Sequence, residues 1–280
     1  MAEIKLCAFA DEAGDSIQEQ IAALKENGIG LLEIRAIDNK NVTKFTNAEI
    51  KEYKKQLDDE GIKVWSIGSP IGKVKIEDDF NIDLDLCKRT VEIAQMFDAK
   101  TIRMFSFYGT EGKAEYRDLV MERLSQYVET AKGTGITFCH ENEKGIYGDV
   151  AKRCLEIHKA VPELKCVFDP ANFVQCGQDT LEAWEMLEPY VFYGHIKDSL
   201  RDGNIVPPGK GEGRIAEYLP KFKAKGCEVL TLEPHLADFS ALKSLEAPGD
   251  ESKIGLYKFD SKREAFDFAV NALKAMIKEL

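Results

Sequence analysis

Short apolar runs alternate with amphipathic stretches from one end of this chain to the other. The runs fall near residues 4–10, 30–35, 62–68, 100–107, 136–142, 165–169, 191–197 and 228–234. Continuous apolar runs of this length, rich in Val, Ile, Leu and Phe, are the pattern of strands covered on both faces. The stretches between them carry helical period. In the first, Ile17, Ile21 and Leu24 share a face and Gly28 stands where a helix would stop. The second opens on Thr46-Asn47-Ala48-Glu49, a capping box, and runs through Ile50, Tyr53 and Leu57 to Gly61. Further helices are predicted near 83–97, 115–132, 149–160, 179–187, 215–225 and 261–279.

Eight strand-and-helix units predict a closed (β/α)8 barrel, an architecture of about 250 residues, as one domain over residues 1–280. An open doubly wound sheet is the competing α/β arrangement. Its nucleotide-binding form needs a glycine-rich turn after the first strand, and no GxGxxG is found there. Two loops are long for such units. One runs from Lys197 to about Arg214 and holds Pro207-Pro208-Gly209-Lys210-Gly211-Glu212-Gly213. The other runs from Pro234 to about Asp260 and carries Phe239, Leu242, Leu245 and Tyr257. In a barrel both follow strands on the catalytic face, so the expectation is either a cover over the substrate or a contact between subunits.

Four runs in the second half end on a residue able to bind a metal ion. They read Thr137-Phe138-Cys139-His140-Glu141-Asn142, Cys166-Val167-Phe168-Asp169-Pro170, Val191-Phe192-Tyr193-Gly194-His195-Ile196 and Val229-Leu230-Thr231-Leu232-Glu233-Pro234. Parallel barrels place their chemistry at those strand ends. Singly, each residue has a plainer reading: a strand-end acid caps a helix, Asp169 before Pro170 opens a turn, and His195 is a core histidine. Jointly, three carboxylates and one imidazole make an oxygen-rich shell for a hard divalent cation. Manganese fits best, with magnesium, cobalt or zinc as alternatives. Three clustered carboxylates also need a cation to stay ionised.

Composition narrows the partners. A net charge of −11 over 280 residues, with lysines scattered among glutamates, opposes a nucleic-acid ligand. Seven cysteines, an odd number without a CxxC pair, read as small buried reduced side chains. The start, Met1-Ala2-Glu3-Ile4-Lys5, has no signal-peptide plan, and no apolar run reaches membrane-spanning length. A soluble cytoplasmic protein with no membrane partner is expected.

At these positions the sequence resembles the xylose-isomerase-like sugar (phosphate) isomerase and epimerase superfamily. The resemblance spans the chain from Phe9-Ala10-Asp11-Glu12 through the eighth strand. Its most specific pieces are His140-Glu141-Asn142, Phe168-Asp169-Pro170-Ala171-Asn172-Phe173, Gly194-His195-Ile196-Lys197-Asp198, Leu232-Glu233-Pro234 and the glycine-rich loop at 208–213. The resemblance implies one divalent metal held by Glu141, Asp169, His195 and Glu233. It also implies that Glu141 and Glu233 move protons at a small carbohydrate substrate, and that the protein forms a homo-oligomer. Three positions depart from the pattern: Glu143 and Asn172 stand where many members have histidine, and Tyr193 replaces the first histidine of a frequent His-x-His strand.

The implied reaction is isomerisation or epimerisation of a small sugar or sugar derivative. A metal bound to the carbonyl and adjacent hydroxyl stabilises an enediolate, while carboxylates remove and return the proton. The same set would equally serve a metal-dependent lyase, either a keto-sugar dehydratase or an enzyme cleaving 3-keto-glycosides. A DNA endonuclease of the same superfamily needs more histidines than the four present, and a non-catalytic sugar-binding barrel is the remaining class. Asn172, Lys197, Lys210, Arg214 and His235 are the candidates for substrate contact. Lys73 and Arg103 are weaker candidates, and a Glu33–Arg35–Arg103 network is expected to satisfy interior charge. His140 is expected to point outward and His158 to lie on the surface.

Overall fold

Each predicted run becomes a strand, and the eight pair in parallel around a closed ring. The computed structural model describes residues 3–239 and 253–280. The strands are β1 (Lys5–Ala8), β2 (Leu31–Ile34), β3 (Lys63–Gly68), β4 (Thr101–Met104), β5 (Thr137–Glu141), β6 (Lys165–Phe168), β7 (Val191–Ile196) and β8 (Val229–Leu232). Neighbours in the ring follow chain order, and β8 closes on β1. The architecture is the (β/α)8 barrel that the alternation predicts. The helices between strands are α1 (Ile17–Glu26), α2 (Asn47–Asp59), α3 (Phe80–Met96), α4 (Arg117–Thr130) and α5 (Ala151–Ala160). They continue with α6 (Pro170–Gln175), α7 (Thr180–Leu187), α8 (Ile215–Lys225) and α9 (Lys262–Lys278).

Local signals set the helix ends. Ser16 with Glu19 and Thr46 with Glu49 form complete capping boxes. Gly226, with φ +86°, stops α8 in the left-handed conformation that glycine adopts without strain. Leu24, Ile50, Leu57, Ile93, Leu124 and Phe222 belong to the buried core between strands and helices. No helix among the described residues is long and apolar enough to cross a membrane. All seven cysteines are unbridged, and six are buried.

Inside the ring the side-chain period of two sorts residues by height. A lower layer of Cys7, Cys139, Val167, Tyr193 and Val229 packs with Leu31 and Trp65. Trp65 stacks on Phe192 from the far side of the barrel, ring centroids 6.2 Å apart. Two residues further along the same strands come Glu33, Glu141, Asp169, His195 and Thr231, all buried. Two more bring Arg35, Glu143, Lys197 and Glu233 to the C-terminal rim. The apolar floor thus seals one end and a polar layer crowds the other.

Short ribbons and loops decorate that rim. Ala36–Ile37 pairs with Lys40–Asn41 after β2, and Asp198–Ser199 pairs with Ile205–Val206 after β7. Asp198 is buried, and its carboxylate accepts hydrogen bonds from the backbone N–H of Gly209, Gly211 and Gly213. A Cβ at Gly211 would overlap Asp198 and the Ser199 carbonyl, which is why the loop needs glycine there. In the last long loop Phe239 is buried and Tyr257 is exposed, while Leu242 and Leu245 lie outside the described residues.

Candidate metal centre

Glu141 ends β5, Asp169 follows β6, His195 lies in β7 and Glu233 follows β8. Each offers one ligand atom, all four atoms lie within 4.8 Å of one another, and all four residues are buried. His195 Nδ1 is 3.1 Å from Glu141 Oε1 and 3.2 Å from Glu233 Oε2. Its other nitrogen, Nε2, is 3.2 Å from Glu33 Oε2. With Nε2 turned to Glu33, Nδ1 is the ring atom that faces the three carboxylates. Glu33 is held in turn by the Tyr193 hydroxyl at 2.9 Å and the Ser66 hydroxyl at 3.1 Å.

Asparagines brace the acids. Asn142 accepts the Asp169 N–H at 3.0 Å and donates to the Asp169 carbonyl at 2.9 Å, tying β5 to β6. Asp169 is the N-cap of α6, where one carboxylate oxygen accepts the Asn172 N–H at 3.0 Å. Its other oxygen faces Lys197 Nζ at 3.1 Å. The Asn172 amide donates to the Asn142 carbonyl at 2.8 Å and reaches Glu141 Oε1 at 3.4 Å.

The counter-charges come from the opposite side. Arg35 pairs with Asp11 at 2.9 Å and with Glu12 and Glu233 at 3.0 Å. Arg103 reaches Glu141 at 3.2 Å and Glu233 at 3.7 Å. The Phe9 ring lies under both guanidiniums, 4.4 Å from Arg35 and 5.1 Å from Arg103. Burial works against the Glu141 carboxylate, yet His195 and Arg103 hold its pKa at about 2. Burial likewise opposes ionised Glu233, but Lys197 and His235 keep it well below the usual carboxylate range. For Asp169 burial wins over Lys197, and its pKa rises to about 6. Burial would keep His195 neutral, but Glu141 and Glu33 push its pKa well above the ordinary value.

A divalent cation fits this cluster on its own terms. Glu141 Oε2, Asp169 Oδ2 and Glu233 Oε2 are buried without a directed hydrogen bond. Asp11, Glu12, Glu33, Glu141, Asp169 and Glu233 set six carboxylates against the permanent cations Arg35, Arg103 and Lys197. Such an excess of buried negative charge calls for positive charge at its centre. A second trio, Glu12, Glu233 and His235, is also close enough to hold an ion. Arg35 already occupies that corner, bonded to both glutamates, so the trio is a counter-ion network.

Of the residues proposed for substrate contact, Asn172, Lys197 and His235 are brought to the cluster. His235 Nε2 is 3.3 Å from Glu12 and 3.4 Å from Glu233. Lys210 and Arg214 are not brought there. Lys210 is exposed on the glycine-rich loop, and Arg214 pairs with Asp179 and Glu217 at the start of α8. Their loop wraps Asp198, which turns both side chains to solvent. Glu33, Arg35 and Arg103 do share the barrel interior, but they pair with other groups instead of one another. His140 is buried outside the ring against Ser106, at 2.9 Å. His158 is not on the surface: it is fully buried, stacked on Tyr190 at 5.3 Å and bonded to the Leu164 carbonyl. The apolar positions Ala151, Cys154 and Ile157 on α5 already mark its inward face. Asp11, Glu12 and the pairing of Glu33 with His195 escape the sequence reading, because strand period gives direction but not partner.

No curated protein sequence matches this chain. Solved structures do, at identities that speak to the fold alone. D-allulose 3-epimerase from Methylomonas sp., in complex with D-allulose, superposes with a TM-score of 0.76 at 13% identity, covering 100% of this chain and 98% of that one. The IOLI protein with a bound zinc atom gives 0.76 at 16% identity, over 99% of both chains. The probable 3-DHS dehydratase from Bacillus anthracis gives 0.73 at 17% identity, over 97% and 98%. The family model described as the xylose isomerase-like TIM barrel matches residues 21–252, most of the chain. With the closed barrel and its acidic rim in view, the chain belongs to the xylose isomerase-like TIM-barrel family.

Proposed function

We propose that this protein is a divalent-metal-dependent isomerase or epimerase of a small sugar or sugar derivative. The observation that carries this reading is the meeting of Glu141, Asp169, His195 and Glu233 within 4.8 Å at the C-terminal rim. These four would hold the ion, manganese by the hardness of the donor set. When bound, it would polarise a substrate carbonyl and the neighbouring hydroxyl. The zinc in one structural neighbour and the sugar in another support the choice of chemistry.

The chain's own groups handle the proton. Glu141 and Glu233 stand on strands separated by β6 and β7, so they flank a substrate lying over His195. Glu141, held ionised, takes the proton from the carbon beside the carbonyl, and the C–H electron pair moves toward the carbonyl oxygen. Glu233 relays a proton from His235, 3.4 Å away, to the opposite face. Return by the same carboxylate to the adjacent carbon gives isomerisation instead. Lys197 and Asn172 hold Asp169 and Glu141 in place and contact substrate hydroxyls.

The test is incubation of the metal-loaded protein with ketoses in deuterated water. Deuterium at the carbon next to the carbonyl, with isomeric products, is expected. Glu233→Gln should lower kcat about 10²–10⁴-fold, the range for a lost acid–base group, when assayed at a metal concentration that saturates the variant. Ligand binding with no exchange in the parent would reduce the barrel to a sugar binder. One observation favours a second reading: an acid placed as His235 is beside Glu233 could protonate a departing β-hydroxyl or aglycone. Loss of water or an aglycone in the same experiment would identify a lyase.

A further inference from the structure

Beside the metal cluster lies a second built element, the pair of Lys73 and Glu143. Their charged atoms are 3.2 Å apart, and the side chains are only 6% and 15% exposed. Lys73 also sits over the Phe105 ring at 4.4 Å, and Arg103 approaches the same ring at 4.9 Å. One aromatic ring thus joins the pair to the cluster. The segment carrying Lys73 is fixed. Phe105 and Phe107 donate to the carbonyls of Ile71 and Gly72 at 2.9 Å, and Gly72 N–H donates to Asp83. Gly72 has φ +80°, and a Cβ there would collide with the Phe105 carbonyl.

We propose that the substrate is an uncharged polyhydroxylated carbonyl compound, a free sugar and not a phosphate ester or sugar acid, with the Lys73–Glu143 pair reading its hydroxyls. This rests on the proton-transfer function proposed above. Among the described residues, the cations whose side chains are buried beside the cluster each face a carboxylate: Arg35 faces Asp11, Glu12 and Glu233, Arg103 faces Glu141, Lys197 faces Asp169, and Lys73 faces Glu143. An anionic substrate would have to break one of these buried pairs to find a cation. A hydroxyl both donates and accepts, so it joins a Lys–Glu pair without breaking it.

The experiment uses the manganese-loaded protein with D-fructose, D-fructose 6-phosphate and D-glucuronate. Binding is read from manganese-induced broadening of ligand proton resonances, and chemistry from deuterium uptake. The free ketose is expected to bind at least tenfold more tightly than either anion. In Glu143→Gln that preference should shrink at least tenfold, because the carboxylate opposite Lys73 is gone, with manganese affinity unchanged. A purely structural role for Glu143 would weaken all three ligands alike and overturn its assignment. Equal or tighter binding of an anion, with exchange, overturns the substrate class and leaves the proton-transfer function standing. Binding of the free ketose without exchange does the reverse. Absence of broadening by any of the three overturns the class as well.

Discussion

The two halves of the barrel contribute opposite things to one site. Strands β5 to β8 deliver Glu141, Asp169, His195 and Glu233, short side chains that meet at a point. Strands β1 to β4, with the turns that follow them, deliver Arg35 and Arg103, long side chains that reach across to those acids. Asp11 and Glu12 hold Arg35 in position, and Glu33 holds His195. The contrast teaches that the ligand half is not self-sufficient. Like charges this close either protonate or are opposed by fixed cations; the second half supplies only Lys197, and the first supplies Arg35 and Arg103.

Removing the link between the halves should have the largest effect. Arg35→Met leaves Asp11, Glu12 and Glu233 buried without their shared guanidinium. Breaking such a network is expected to lower stability by about 3–5 kcal/mol, read by urea unfolding of the metal-free protein. A change under about 1 kcal/mol would mean the halves do not depend on each other for charge.

Acid should also separate the halves, since all four histidines lie beyond residue 139. Burial depresses the His158 pKa from 6.5 to about 4. Between these values the unfolded chain binds the proton and the folded one does not. The stability His158 contributes is therefore complete above pH 6.5 and is lost as pH falls toward 4, about 3 kcal/mol in all. His158→Gln should flatten that part of the stability profile. Hydrogen exchange at pH 5 should show β5 to β8 opening more readily than β1 to β4, and uniform opening would contradict the comparison.

Glu33→Gln touches the communication between halves more gently. It keeps the shape but weakens the grip on His195 Nε2, and outer partners of this kind are worth about 10–100-fold in metal affinity. A titration showing less than a threefold change would remove Glu33 from the support of the site. The smallest effect is expected at the periphery of the first half. Ser16→Ala removes a capping box and should lower stability by about 1 kcal/mol without altering metal affinity. A drop in affinity would show that the outer helices also tune the cluster.

The strands were readable because a barrel strand is covered on both sides, so its run of apolar residues stands out. The direction of interior residues was readable too: Leu31-Glu33-Arg35 and Tyr193-His195-Lys197 climb the same wall two residues at a time. Helix α6 was not foreseen, since the six residues from Pro170 to Gln175 carry too little period to separate a helix from a turn. Pairing was the other blind spot. Nothing in the spacing says that Arg35 turns to Asp11 and Glu12 while Glu33 turns to His195. Those choices are made where β1, β2, β7 and β8 close around one another, and only three-dimensional proximity decides them.

Asp169 shows how a single position can be determined twice. One carboxylate oxygen starts a helix through the Asn172 N–H, and the other looks into the cluster. A descendant without the proposed ion would still uncap α6 by changing this residue, so the aspartate would outlive the proposed chemistry. In a distant relative, an aspartate at the corresponding place is weak testimony to activity. Glu233, which begins no helix, is the better witness.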